Sequence, residues 1–282
     1  MGRISAIAVL LFGSGLCALI YQTVWIRELR LIFGITTSAS AAVLAIFMGG
    51  LGFGALRLSR TAERVQNPLL LYAKLELGIA LGAILSLPLV KGAEWIYLAA
   101  GGTSSLGAWG ATALRLLLAL VVLGLPVVLM GGTLPAAARA VTRAKDVGRK
   151  GLALIYGLNA LGAVLGALLG TFFLFEMLGA RRTLLVAAVL NAGLGIAAWR
   201  IALRREPGDF SSSPEPQFAV ASQGGAPPLP LLLAAAFVAG FCFLLAELVW
   251  FRMAGPILGG STYTFGLVLA FALGGIGAGG LL

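Results

Sequence analysis

The feature that constrains this chain most is the recurrence of long apolar stretches, near residues 4–26, 38–56, 69–90, 110–134, 152–175, 183–203, 231–251 and 262–282. At ~1.5 Å rise per helical residue, about 20 such residues cross the ~30 Å hydrocarbon core of a bilayer. None of the stretches shows the ten-residue alternation of an outer-membrane barrel strand. Composition removes the soluble alternative, because only 11% of the 282 residues are charged and 60% are hydrophobic, against ~25% charged in soluble domains. The first stretch follows Arg3 and imitates a signal peptide, but its sequence recurs late in the chain, where no signal sits. The expectation is an all-α integral membrane protein of eight spans.

Charge sets the expected orientation. The amino terminus and the loops after the second, fourth and sixth spans carry 12 Lys or Arg residues, among them Arg57, Arg60, Arg64, Arg139, Arg143 and Lys145. The opposite side carries six: Arg27, Arg30, Lys91, Arg181, Arg182 and Arg252. The positive-inside bias places the amino terminus in the cytoplasm, most simply of a bacterial inner membrane. Trp25, Trp95, Trp109 and Trp250 then fall at the outer interface, where aromatic rings favour the headgroup level. The net charge of +10 is accounted for by cytoplasmic loops, and nucleic acid is not an expected partner; the lipid bilayer is. Two cysteines and no histidine leave little for a disulfide framework or a zinc site.

Residues 204–230 hold six of the eleven prolines and a run of three serines, the composition of an extended flexible linker. The chain therefore divides into a six-helix membrane half (1–203), a cytoplasmic Pro/Ser-rich linker (204–230) and two further helices (231–282). Those two helices repeat the first two. A shift of 225 residues aligns Gly15–Gly54 with Gly240–Gly279 without a gap, and 16 of the 40 positions are identical. The identities include Cys17/Cys242, Trp25/Trp250, Arg27/Arg252 and Gly34/Gly259; shared apolar composition does not align Cys, Trp and Arg together. Both copies start inside, so the repeat is parallel, the relation between the halves of a major-facilitator transporter. The second copy stops at Leu282, partway through its own second span, so the reading expects a truncated second half.

Several motifs favour packing over chemistry. Gly275-x-Gly277-x-x-Gly280 matches a dinucleotide fingerprint, yet it lies in an apolar helix with no preceding strand and no following acid. Gly50/Gly54, Gly275/Gly279 and Gly162/Gly166/Gly170 are instead spaced by four, which lets helix backbones approach closely. Asn159 and Asn191 read as interhelical hydrogen-bond partners. Lys74 and Glu76 lie close enough to the cytoplasmic Pro68 to snorkel. Arg115 either snorkels outward or pairs with an acid of the first or seventh span. Glu247, the acid of the seventh span, stands opposite Gln22 in the repeat, with Arg115 and Arg27 as candidate partners and headgroup water as the alternative. The candidate binding residues are thus Gln22, Trp25, Arg27, Arg115, Glu247, Trp250 and Arg252. No catalytic constellation assembles, and neither a cofactor nor a metal is expected in this chain.

GLCALIYQTVWIRELRLIFGITTSASAAVLAIFMGGLGFGAL (15–56) resembles the opening of the membrane-embedded spermidine synthase-like proteins. These fuse a major-facilitator-like helical domain to a soluble aminopropyltransferase. LLLYAKLELGIALGAILS (69–86), LMGGTLPAAAR (129–139), GLALIYGLNALGAVLGALLGTFFL (151–174) and the second-copy segment 241–275 follow the same pattern in the same order. The resemblance implies a major-facilitator-like bundle, a six-helix half plus the first two helices of a second. It also implies a membrane domain that anchors an aminopropyltransferase, carried beyond Leu282 or by a separate chain, and that feeds or drains its polyamines. The acidic residues that hold substrate in that enzyme have no counterpart here, so no catalytic residue is carried over. The alternative is a portion of a major-facilitator-type transporter without an enzyme; a third reading is an anchoring scaffold that moves nothing.

Overall fold

A computed structural model describes residues 2–34, 37–141, 149–204, 228–259 and 262–281. Its elements are α1 (Gly2–Phe33), α2 (Thr37–Arg64), α3 (Pro68–Ala99), α4 (Gly102–Val141), α5 (Arg149–Leu169), a π-helical turn (Gly170–Leu174), α6 (Phe175–Leu203), α7 (Leu229–Leu258) and α8 (Thr262–Leu281). No strand occurs among the described residues. Six helical segments are long and apolar enough to cross a membrane, and α8 adds a shorter apolar helix, Tyr263–Gly279. The predicted linker residues 205–227, and Arg143 and Lys145 of the basic loop, lie outside the described residues.

The eight expected runs each find a helix, but the boundaries differ for identifiable reasons. Runs five and six are joined in one helical stretch, Gly151–Leu203, interrupted where Gly179 adopts φ 70°, ψ 170°. Just past that break Thr183 Oγ1 donates to the Leu174 carbonyl at 2.9 Å. Nine residues of straight helix span ~13 Å, so this bond requires the chain to turn sharply at Gly179. Gly107 breaks α4 in the same way at φ 65°, ψ 177°. Helices α2 and α3 outrun their apolar stretches, ending at Arg64 and Ala99, because charge ends an apolar run without ending a helix. Asn67 opens α3 by accepting from the Leu70 N–H at 3.0 Å, with Pro68 at the first helical position, where its missing N–H is harmless. Pro228 and Pro230 start α7, and Gly259 at φ 90° ends it.

Helix α1 is the axis of the packing. It lies against α5 and α6, while α2 packs on α4, and α3 on α4 and α6. Helix α8 packs on α5; α7 touches mainly α8 and leaves most of its surface exposed. Glycines set the closest approaches. A Cβ on Gly162 or Gly166 would overlap the carbonyl of Phe12 or Leu16 of α1, and one on Gly54 would overlap the Val128 carbonyl of α4. Gly50 faces the Val127 side chain, and Gly170 lies 3.2 Å (from its ideal Cβ) from Thr23 Oγ1. Gly275 and Gly279 are different: nothing lies within 4 Å of either, and on α8 it is Gly266, beside Thr171, that meets a neighbour closely. The expected Gly275/Gly279 packing pair thus faces away from α5.

Candidate functional site

The α1 stripe Ser14, Ala18, Gln22, one residue every turn, forms one wall of a cavity of about 660 Å³. Helix α2 adds Phe47 and Leu51, α3 adds Glu76 and Ile79, and α4 adds Met130 and Thr133. Tyr156 and Asn159 come from α5, Asn191 from α6, Phe243 from α7, and Leu269, Leu273 and Ile276 from α8. Each of the eight described α-helices contributes. The volume lies within the ~300–1,000 Å³ of small-molecule sites, and the walls follow the usual pattern of apolar surface with a few polar groups.

Glu76 is the charged member of that lining. It is fully buried, and neither carboxylate oxygen is met by a hydrogen bond of good geometry. Ser14, Tyr72 and Asn191 stand around the carboxylate, but the well-formed bonds of Tyr72 and Asn191 go elsewhere. Tyr72 OH donates to the Leu10 carbonyl at 3.1 Å, and Asn191 Nδ2 to the backbone carbonyl of Glu76 at 2.7 Å. The Asn191 bond ties α6 to α3, the interhelical role expected from sequence. An ionised carboxylate in the membrane interior costs on the order of 2.5–3.5 kcal/mol unless it is compensated. The fold therefore holds a group that calls for a positive charge or a proton.

The sequence reading let both Lys74 and Glu76 snorkel to the cytoplasmic surface, and for Glu76 the structure overturns this. Lys74 is exposed and Glu76 is not, because two residues along a helix turn the side chain by about 200°. The signal was present in the chain. Tyr72, Glu76, Ile79 and Ala83 recur at three- and four-residue spacing and are all buried, so Glu76 sits in the middle of an inward face.

Of the seven candidate binding residues named from sequence, Gln22 alone lines this cavity. It is buried, and its Nε2 has no hydrogen-bond partner. Trp25 was expected in an interfacial belt and is instead 1% exposed. Its indole N–H donates to Ser86 Oγ at 2.8 Å, and its ring stacks on Tyr21 at 5.5 Å. A buried indole needs such a partner, and α3 supplies it. Trp95, Trp109 and Trp250 are exposed, as a belt requires. Arg27 is exposed and lies over the Phe175 ring at 5.1 Å. Arg252 is exposed. Arg115 finds neither of its expected acid partners; Nε donates to Tyr97 OH at 3.0 Å, Nη2 bonds Tyr97 OH and Thr103 Oγ1, and the guanidinium lies over the Tyr97 ring. Glu247 is buried at 3% exposure, and both its oxygens lack a hydrogen-bond partner, so neither headgroup water nor Arg115 satisfies it.

A second, smaller cavity of about 290 Å³ lies between α1, α3 and α6, lined by Trp25, Glu28, Ser86, Lys91 and Arg181 among others. Gln22 faces the large cavity and Trp25 the small one, so less than one turn of α1 separates them. Comparison with protein-family models, with curated proteins and with solved structures finds no match. Among the described residues no three His, Cys, Asp or Glu side chains converge to hold a metal ion. The large cavity has the size and the largely apolar lining of a small-molecule site.

Proposed function

We propose that this chain is the membrane domain of a spermidine synthase-like protein and handles a small solute for a cytoplasmic aminopropyltransferase. On this reading residues 1–203 are a major-facilitator-like half, α7 and α8 open a second, parallel half, and the amino terminus is cytoplasmic. The observation that carries the proposal is the large cavity, walled by the six helices before the linker together with Phe243, Leu269, Leu273 and Ile276 after it. Solute sites of repeat-built transporters lie between the repeats near the bilayer midplane. The repeat itself adds support, since Gly50 and Gly54 pack α2 on α4 while their equivalents Gly275 and Gly279 meet nothing. On this reading that open face is where the counterpart of α4 packs.

The rival reading is a portion of a major-facilitator-type transporter with no enzyme attached. The same cavity favours it, because a chamber asks for a solute and not for a transferase. Proteoliposomes containing the full-length natural protein separate the two. With radiolabelled putrescine outside and decarboxylated S-adenosylmethionine on the cytoplasmic face, the first reading expects label to accumulate and to appear as spermidine. Accumulation without conversion selects the transporter, and neither uptake nor conversion removes both.

A further inference from the structure

We propose that Glu76 is the docking carboxylate of the large cavity and that its ligand is an organic cation with one primary ammonium head on an alkyl body. This rests on the reading of the cavity as a solute site and names the class of solute. Three observations meet here. Glu76 is fully buried, neither oxygen receives a well-formed hydrogen bond although Ser14, Tyr72 and Asn191 stand around it, and it lines a chamber of about 660 Å³. The walls beyond it are largely apolar: Ala18, Leu19, Phe47 and Ile79. A carboxylate accepts hydrogen bonds and donates none, and an ammonium brings three donors to it. Charge-assisted bonds of that kind are strong where water is excluded.

The alternatives fit these residues less well. A bare hard cation draws on several oxygen ligands converging at one point, and among the described residues no such acidic cluster exists. A proton would neutralise Glu76 but gives the chamber no occupant. The register of the helices fits an elongated ligand. Bonds from Tyr72 to Leu10 and from Trp25 to Ser86 run α3 alongside α1, which sets Glu76 level with Ser14. Gln22 lies two turns farther along the same wall, about 12 Å at 1.5 Å per residue. The apolar side chains between those levels receive the alkyl body.

The test uses the full chain purified in detergent and titrated with n-butylammonium, with sodium ion and n-butanol as separate arms. Binding is followed by calorimetry and by the thermal unfolding midpoint. Butylammonium is expected to bind and to raise the midpoint, while sodium and butanol at equal concentration do neither. Glu76→Gln should weaken butylammonium by at least ~30-fold, the scale for removing one partner of a buried charge pair. Glu76→Asp keeps the charge and should recover part of that loss, and Lys74→Met, an exposed change two residues away, should leave affinity within ~3-fold. An equal response to sodium or butanol, or wild-type affinity in Glu76→Gln with an intact unfolding transition, overturns the proposal. If butylammonium binds as expected yet the full-length protein neither transports nor converts putrescine, the functional reading fails and this assignment stands. Flux that persists in Glu76→Gln fails this assignment alone.

Discussion

Trp25 and Trp250 occupy equivalent places in the repeat and opposite environments, 1% and 57% exposed. What separates them is the neighbour. Ser86 of α3 accepts the Trp25 indole N–H at 2.8 Å, whereas α7 has few helices against it. Trp25→Phe keeps the stack on Tyr21 and loses the bond, and should cost about 0.5–1.5 kcal/mol of stability, the range for interhelical bonds in membranes. The unfolding midpoint in detergent reads this directly, and no change would mean the bond contributes nothing. Glu247 makes the opposite case. Its buried carboxylate has no partner, so Glu247→Gln should raise stability by about 1–3 kcal/mol, because an amide loses less on leaving water than a carboxylate does. If Glu247 also carries charge through the full-length protein, the same substitution lowers polyamine flux or flattens its pH profile. A stability gain with unchanged flux makes the residue structural.

Helix packing in lipid has no hydrophobic drive between helices, so close backbone approach through small residues carries much of it. Gly162 and Gly54 meet backbone carbonyls that cannot shift without moving a helix, while Gly275 meets nothing. Gly162→Ala should therefore destabilise the chain by about 1–3 kcal/mol through overpacking, and Gly275→Ala should stay within about 0.5 kcal/mol. Equal effects at the two positions would remove the packing argument. The interior prolines act at the same scale. Pro88, Pro126 and Pro135 each remove a helical donor from α3 or α4, a loss that neighbouring helices and local adjustments re-satisfy in a membrane. Pro126 itself lies 3.1 Å from the position a Cβ on Gly82 would take, so a proline of one helix fills the notch left by a glycine of another.

For the molecule as a whole, orientation and activity are the quantities to measure. The excess of basic residues on the amino-terminal side predicts that Thr61 faces the cytoplasm and Ser104 the outside. In a background with Cys17 and Cys242 replaced, single cysteines at these exposed positions should label from the inside and the outside respectively. The reverse pattern overturns the orientation. The chain by itself should convert no putrescine with decarboxylated S-adenosylmethionine, since the described helices bring together no catalytic groups. Turnover above background in that assay would expose a site that the cavity geometry does not reveal.

Helix existence was legible in the sequence because burial in a bilayer demands unbroken apolar length, and all eight runs became helices. The glycine spacing of α1–α5 and α2–α4 was legible too, since only a missing Cβ lets backbones meet. Helix ends were not, because Arg57–Arg64 and Lys91–Ala99 continue as helix after the apolar run has stopped. Nor was the site. Gln22 could be found from its place in the repeat, but whether Glu76 reached water or the interior depended on which face of α3 met α1 and α6. Sequence supplied the carboxylate and its period; only the packing of α1, α3 and α6 decided that it would be buried, unpaired and beside a cavity. The same holds for Trp25, where an amphipathic ring suits either an interface or a core, and Ser86, 61 residues away along the chain, made the choice.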